Sequence, residues 1–336
     1  MTASDARLTA DLDAAFDSIE ARGLLKDVHA CLIVKDGQIV LERYVDGEDF
    51  AWGRPLGRVA FGPDTLHDLR SVTKSIVGLL YGIALDRGEV PGPDAPLLDA
   101  FPDCADLAHD PARARWRVGH ALTMTLGTAW SEDAPYTSSA NSEIAMEMAD
   151  DRFRYILDRP ILSAPGERWI YNGGATALLG HVIAQGSGRP LDVFARDHLF
   201  APLGIDRFEW TRGRDGAPSA ASGLRLAARD LVRIGSLVAQ DGLWQGRTIV
   251  GRAWLEQSLK PAVPVDAELR YGRHWYLGAQ GPIAWVAAMG NGGQRLVIVP
   301  RHGLVMALFA GAYDRPDQVR PAAALMRDAI LPALAR

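Results

Sequence analysis

Two side chains in the stretch His67-Asp-Leu-Arg-Ser71-Val-Thr-Lys74 are of types, and at a spacing, that can carry acyl-transfer chemistry. Serine is a weak nucleophile until a neighbour removes its proton. Residues three apart on a helix share a face, so Lys74 stands beside Ser71 if a helix begins there. The apolar run that follows, with Leu79, Leu80, Ile83 and Leu85, predicts that helix. Lysine is also scarce: the chain has Lys26, Lys35, Lys74 and Lys260 against thirty-two arginines. An arginine keeps its proton in a protein, whereas a buried lysine can release it. The expectation is a Ser71 nucleophile at a helix start, with a lowered Lys74 pKa and helix N–H groups that favour an alkoxide.

Two further segments offer partners. In Trp169-Ile-Tyr171-Asn172-Gly173-Gly174, a tyrosine precedes a glycine-rich turn and a helix. A phenol held near an ammonium ionises more easily and serves as a general base; the plainer alternative is a core aromatic with a satisfied hydroxyl. In Gly290-Asn291-Gly292-Gly293-Gln294, small residues lead into the strand Arg295 to Val299. Such a strand start can offer a backbone N–H to a developing oxyanion, paired with the N–H of Ser71; a simple glycine turn is the alternative. His67 and Asp68 are too near Ser71 in sequence for a Ser-His-Asp arrangement and read as supports for the helix start. The eight histidines show no His-Glu-x-x-His or paired metal spacing, and no serine sits in Gly-x-Ser-x-Gly, so no metal and no cofactor are expected. The loop from Ser131 to Glu143, with Tyr136, and aromatic walls such as Trp275 are candidates for substrate contact.

Elements that position these residues follow from the patterning. Residues 6 to 22 read as an amphipathic helix with Leu8, Leu12, Phe16 and Ile19 on one face. Two strand-like runs flank Lys35-Asp36-Gly37 as a tight hairpin. Strand patterns return near Trp275, Ile283, Arg295 and Leu304, before a closing helix from about Gln318 to Leu334. Residues 66 to 264 are mostly helical in pattern, as in Ala175 to Gln185 and Ala228 to Gln240. The expected architecture is α/β of the α+β type. Segments 1–65 and 265–336 form an antiparallel sheet subdomain with terminal helices, 66–264 form a mainly helical insertion, and the active site lies in a cleft between them.

With 336 residues, 48% hydrophobic and 23% charged, the chain can bury a large core. A formal net charge of −5 gives no footprint for nucleic acid or an anionic membrane. The first residues lack the pattern of a secretory signal and no apolar run is long enough to span a bilayer, so a cytoplasmic location is expected. Cys31 and Cys104 form neither a disulfide framework nor a metal motif. Nothing in the sequence sets the oligomeric state.

Taken together, Ser71-Val-Thr-Lys74, Leu122-Thr-Met-Thr-Leu-Gly-Thr, the Tyr171 block ending Leu178-Leu-Gly180, Ala228-Arg-Asp-Leu231 and Gly290 to Gln294 resemble the penicillin-recognising serine hydrolases. The likeness is to the branch holding class C β-lactamases, family VIII esterases and 6-aminohexanoate-oligomer hydrolases, and it runs over nearly the whole chain. It implies a β-lactamase-like fold, Ser71 as the acylated nucleophile, Lys74 and Tyr171 as the proton-transfer pair, and the Ser71 and Gln294 N–H groups as the oxyanion hole. It also implies substrate contacts at Asn172, Asn291, Gly292 and Gly293. Two departures from the family pattern bear on substrate. Tyr171-Asn172-Gly173 stands where the lactamases have Tyr-x-Asn, and Asn291-Gly292-Gly293 stands where they have Lys-Thr-Gly. The losses remove an amide and a cation that hold β-lactams, so a small to medium carboxylic ester is the expected substrate. Linear amides come next, then β-lactamase or D-Ala peptidase activity with Arg295 or another cation replacing the lost lysine, and last a non-catalytic binding role.

Overall fold

Asp36 and Gly37 take positive φ angles of 49° and 80° and join β1 (Val28–Lys35) to β2 (Gln38–Tyr44), with Lys35 opposite Gln38. Two left-handed residues in succession give the turn whose twist matches that of the flanking strands. The computed structural model, which describes residues 3–335, therefore opens as the pattern predicts, with α1 (Ala3–Ala21) and then this hairpin.

Strands from the two ends of the sequence pair directly. β1 runs antiparallel to Leu304–Ala310, which pairs with Gln294–Val299, which in turn pairs with Ile283–Gly290. Gln294–Val299 and Leu304–Ala310 are buried at every position and β1 at all but its last residue. A sheet buried on both faces must be covered on both faces. Leu12, Phe16 and Ile19 of α1 join Leu325 and Ile330 of the C-terminal helices in one core with β1 and its neighbours. The helix Ala228–Ala239 also lies against the sheet: a Cβ at Gly235 would come within 2.4 Å of Val305 and 2.8 Å of Leu296. β3 (Gly47–Ala51) and β4 (Arg54–Val59) form a separate hairpin, and β5 (His67–Asp68) pairs with Arg225 and Leu226.

The closing helix is less regular than its pattern suggests. A 3-10 turn at Pro316–Val319 leads into Arg320–Leu325, a wider turn at Met326–Ile330, and Leu331–Leu334. Pro332 has no N–H to donate to the carbonyl four residues earlier, and the helix widens just before it.

The chain forms two compact units. The first comprises the residues up to Val72, Arg225–Gln240 and Ala279 onward; the second comprises Thr73–Leu224 and Asp241–Gly278. The boundaries expected at 65 and 264 shift accordingly. Arg225–Gln240 goes with the sheet because its helix has a glycine where the strands approach, and residues 265–278 go with the helical unit. There Val263 and Pro264 pair with Tyr271 and Arg270, which pair onward with Tyr276 and Leu277.

In the second unit α2 (Val72–Asp86) is buried from Val72 to Ala84, with no solvent face over most of its length. Trp254 lies across it, donating Nε1–H to the Gly78 carbonyl at 3.0 Å, and a Cβ at Gly82 would stand 2.0 Å from the Trp254 ring. The helix Gly173–Ser187 is buried from Gly173 to Gly180 and ends on left-handed Gly188. Among the described residues, no helix is long and apolar enough to cross a membrane.

Candidate active site

Ser71 immediately precedes α2 and is 6% exposed; Lys74 lies in the first turn of that helix and is 2% exposed. The helical unit surrounds the Lys74 ammonium with polar and aromatic groups. Nζ lies 3.0 Å from Glu143 Oε2, 3.0 Å from the Ala221 carbonyl oxygen and 4.9 Å from the centroid of the Tyr171 ring. Glu143 is fully buried, and its other oxygen accepts the Ser222 hydroxyl. Its position follows from a helix cap: Asn141 Oδ1 accepts the Glu143 N–H at 3.0 Å and that of Ile144 at 3.4 Å, starting the helix Ser142–Glu147.

This arrangement corrects the expectation of a lowered Lys74 pKa. Burial pushes the ammonium down, but the Glu143 carboxylate, followed by Tyr171 and Glu132, outweighs burial and the net shift is upward. Lys74 is a paired cation in this site.

A second carboxylate stands beside the first. Glu132 Oε1 accepts the Gly173 N–H and the Trp130 indole N–H, each at 2.7 Å, and Oε2 accepts the Tyr136 hydroxyl at 2.7 Å. Burial and the neighbouring Glu143 push the Glu132 carboxyl up to about 7, against the pull of Lys74. Gly173 makes room for both acids, since a Cβ there would lie 2.4 Å from Glu143 Oε2 and 2.9 Å from Glu132 Oε1. The two carboxylates therefore converge on the position where the departure from Tyr-x-Asn falls.

Three candidate substrate contacts in this unit have other work. Asn172 is 2% exposed and caps the helix Gly173–Ser187: Oδ1 accepts the Ala175 N–H at 3.1 Å, and Nδ2 donates to Thr128 Oγ1 at 3.3 Å. The Tyr136 hydroxyl is committed to Glu132. Trp275, at 1% exposure, is a core side chain.

Within the sheet unit, Gly290 and Gln294 face each other at the end of the hairpin joining their strands. A Cβ at Gly290 would lie 2.4 Å from the Leu69 carbonyl oxygen and 3.1 Å from the Ser71 backbone nitrogen, so this hairpin meets the backbone of the segment Leu69 to Ser71. The Gln294 side chain locks the strand end, its Nε2 donating to the Ala310 carbonyl at 2.6 Å and its Oε1 accepting the Ala310 N–H at 3.1 Å. Gly292 and Gly293 have φ of 89° and 98°, a region that favours glycine. Gly292 N–H donates to Gln318 Oε1 at 2.7 Å, and Asn291 is tied twice to Asp314, at 2.7 and 2.9 Å. Arg295 is 6% exposed and donates to the carbonyls of Gly290 and Gln294 at 3.1 and 2.8 Å. Asp68 is ion-paired with Arg70 and Arg225 at 3.1 and 3.0 Å and accepts the Trp52 N–H at 2.7 Å, which fits a support for the helix start.

Residues 26–330 match the family model described as Beta-lactamase. The chain is 24% identical over 310 residues to the 6-aminohexanoate-dimer hydrolase of Paenarthrobacter ureafaciens, a match covering 86% of this chain and 73% of that protein. Among solved structures, it superimposes on EstCE1, a hydrolase with promiscuous acyltransferase activity, with a TM-score of 0.74 at 15% identity, covering 96% of this chain and all of that one. A family VIII carboxylesterase gives 0.71 at 17% identity, covering 95% and 97%. These structures establish the architecture as β-lactamase-like.

Proposed function

We propose, for a chain that belongs to the Beta-lactamase family and is a hydrolase of that kind, that it cleaves carboxylic esters of small to medium size through an acyl-enzyme on Ser71. The observation that carries the ester reading is the commitment of the polar groups at the Gly290–Gln294 turn. Asn291 is a neutral amide held by Asp314, and the Arg295 guanidinium is engaged by two backbone carbonyls, which argues against this turn holding a β-lactam carboxylate.

In the proposed mechanism Ser71 Oγ attacks the ester carbonyl carbon while Tyr171 accepts the hydroxyl proton. Lys74, kept as an ammonium by Glu143, stabilises the negative charge that Tyr171 carries. The N–H groups of Ser71 and Gln294 face the oxyanion. Tyr171 then returns the proton to the leaving alkoxide, the alcohol departs, and water attacks the acyl-enzyme by the same proton path in reverse. Lys74 acts throughout as a fixed charge, which is why its pairing with Glu143 suits the task.

A second reading, hydrolysis of linear amides, draws on the likeness to the 6-aminohexanoate-dimer hydrolase. It differs in requiring full protonation of a poor leaving group. A cytoplasmic setting belongs to the same proposal and is supported by two free, buried cysteines, Cys31 and Cys104.

The test is to compare kcat/KM for p-nitrophenyl butyrate, nitrocefin and the linear dimer of 6-aminohexanoate, with Ser71→Ala as the blank. The ester reading predicts the highest value for the butyrate and its loss in Ser71→Ala. A higher value for the dimer would transfer the assignment to amides, and one for nitrocefin would mean that another cation holds the lactam carboxylate.

A further inference from the structure

Three strands of the sheet unit place His29, Asp49 and His67 together, all at 3% exposure or less. His29 is on β1, Asp49 on β3 and His67 on β5. One ligand atom from each of the three lies within 4.8 Å of the other two. The reaction proposed above uses none of them.

The local hydrogen bonds fix what these atoms offer. His67 Nδ1 lies 3.0 Å from the Asp68 carbonyl oxygen, which can only accept, so Nδ1 carries the hydrogen and Nε2 presents a lone pair. A ring N–H bound to a backbone carbonyl is also the usual outer support of a metal-binding histidine. That lone pair accepts the His29 Nδ1 hydrogen at 3.0 Å, which an incoming ion would displace as it takes both nitrogens, and lies 3.4 Å from Asp49 Oδ1. An ion with four ligands at about 2.1 Å sets them roughly 3.4 Å apart. The His67–Asp49 separation matches that edge, and the hydrogen-bonded His29–His67 pair at 3.0 Å would have to part slightly to admit an ion. Asp49 Oδ1 accepts the Tyr313 hydroxyl at 3.2 Å, while Asp49 Oδ2 is buried with no hydrogen-bond partner among the described residues.

The rings are held in place. His29 stacks on Phe61 at 4.3 Å and His67 on Phe309 at 4.8 Å. Gly47 and Gly311 give His29 its space, since a Cβ at either would come within 2.4 or 2.7 Å of the ring. The neighbouring charges include Asp27 near His29, Asp68, which engages Arg70 and Arg225, and the Arg225 guanidinium 4.0 Å from Asp49 Oδ2, which competes with any ion for that carboxylate.

From this geometry we infer that His29, Asp49 and His67 form a binding site for a divalent transition ion of zinc type, with solvent completing the coordination. Two imidazole nitrogens and one carboxylate oxygen suit zinc rather than calcium or magnesium, which favour oxygen. The ion ties β1, β3 and β5 together. Only Leu69 and Arg70 separate β5 from Ser71, so the site anchors the segment leading to the nucleophile.

The test uses the whole chain, stripped with chelator and titrated with cobalt chloride and zinc chloride. The inference predicts one visible cobalt absorption band that saturates at one ion per chain and is displaced by zinc. It also predicts one zinc retained after dialysis and a Tm that rises with zinc concentration. His29→Gln and Asp49→Asn should each lose the band and the zinc-dependent rise while the chain still melts cooperatively. A wild-type chain with no cobalt band and no retained zinc would overturn the inference whatever the variants do, as would variants that bind zinc as the wild type does.

Discussion

Replacing Glu143 by glutamine would leave Lys74 a hydrogen-bond partner but remove its counter-charge. Burial would then dominate, and the Lys74 ammonium would release its proton at lower pH. Glu143→Gln is therefore predicted to move the basic limb of the kcat/KM profile to lower pH and to cost about 3–5 kcal/mol of stability, measurable by urea unfolding, as expected when one member of a buried pair is removed. An unchanged basic limb would mean that Lys74 is not the group titrating there. Tyr171→Phe, which deletes only the proposed proton acceptor, should lower kcat/KM by roughly a thousandfold, with no further loss when combined with Lys74→Ala, because the pair works as a unit. Additive losses would separate the two roles. The Ser71–Lys74 spacing was legible because one helix turn sets it. Glu143 was not, because its contact spans 69 residues of sequence and its local pattern is that of an ordinary capped helix. Asn172 carried a readable signal, an asparagine directly before a helical run, and its capping role follows from that. Trp275 gave none, since an aromatic side chain fits a core or a pocket wall equally well.

Elements hold this site in place through a few close approaches. Gly235 lets the helix Ala228–Ala239 reach the sheet, and Gly235→Leu should cost roughly 1–3 kcal/mol by overpacking against Val305 and Leu296, read as a lower urea midpoint. No loss of stability would mean that helix and sheet are not in close contact. On α2, Ser75 donates to the carbonyl of His274, whose own ring is fixed by the Leu122 carbonyl at 2.9 Å and Thr176 Oγ1 at 3.0 Å. Burial, opposed by the Leu122 carbonyl, lowers His274 to about 4, against 6.5 in the unfolded chain. The unfolded state thus binds the extra proton first, and the stability from this residue, complete above pH 6.5, is lost as pH falls toward 4. The stability difference between wild type and His274→Gln should therefore narrow by up to about 3 kcal/mol between those pH values. A constant difference would show that His274 is charged in the fold. Hairpins and long helices were legible because turn glycines and apolar periodicity are local signals. The wide turn before Pro332 was signalled only by the proline, and the proposed metal ligands were hidden because they come from three separate strands.

Across the whole molecule, the order of elements was readable, but the partition into units was not. The segment Arg225–Gln240 has the same helical pattern as the helices around it in sequence, and only its contacts place it with the sheet. The sequence likewise predicts the β-lactamase-like architecture through five short motifs, while substrate choice rests on which polar groups the fold has already engaged. The central claim is that Ser71 is the nucleophile, and covalent labelling addresses it most directly. After incubation with an alkyl fluorophosphonate, intact mass should rise by one phosphonyl group, peptide mapping should place that group on Ser71, and esterase activity should fall in proportion to labelling. Labelling of another residue, or loss of activity with Ser71 unmodified, would contradict the account.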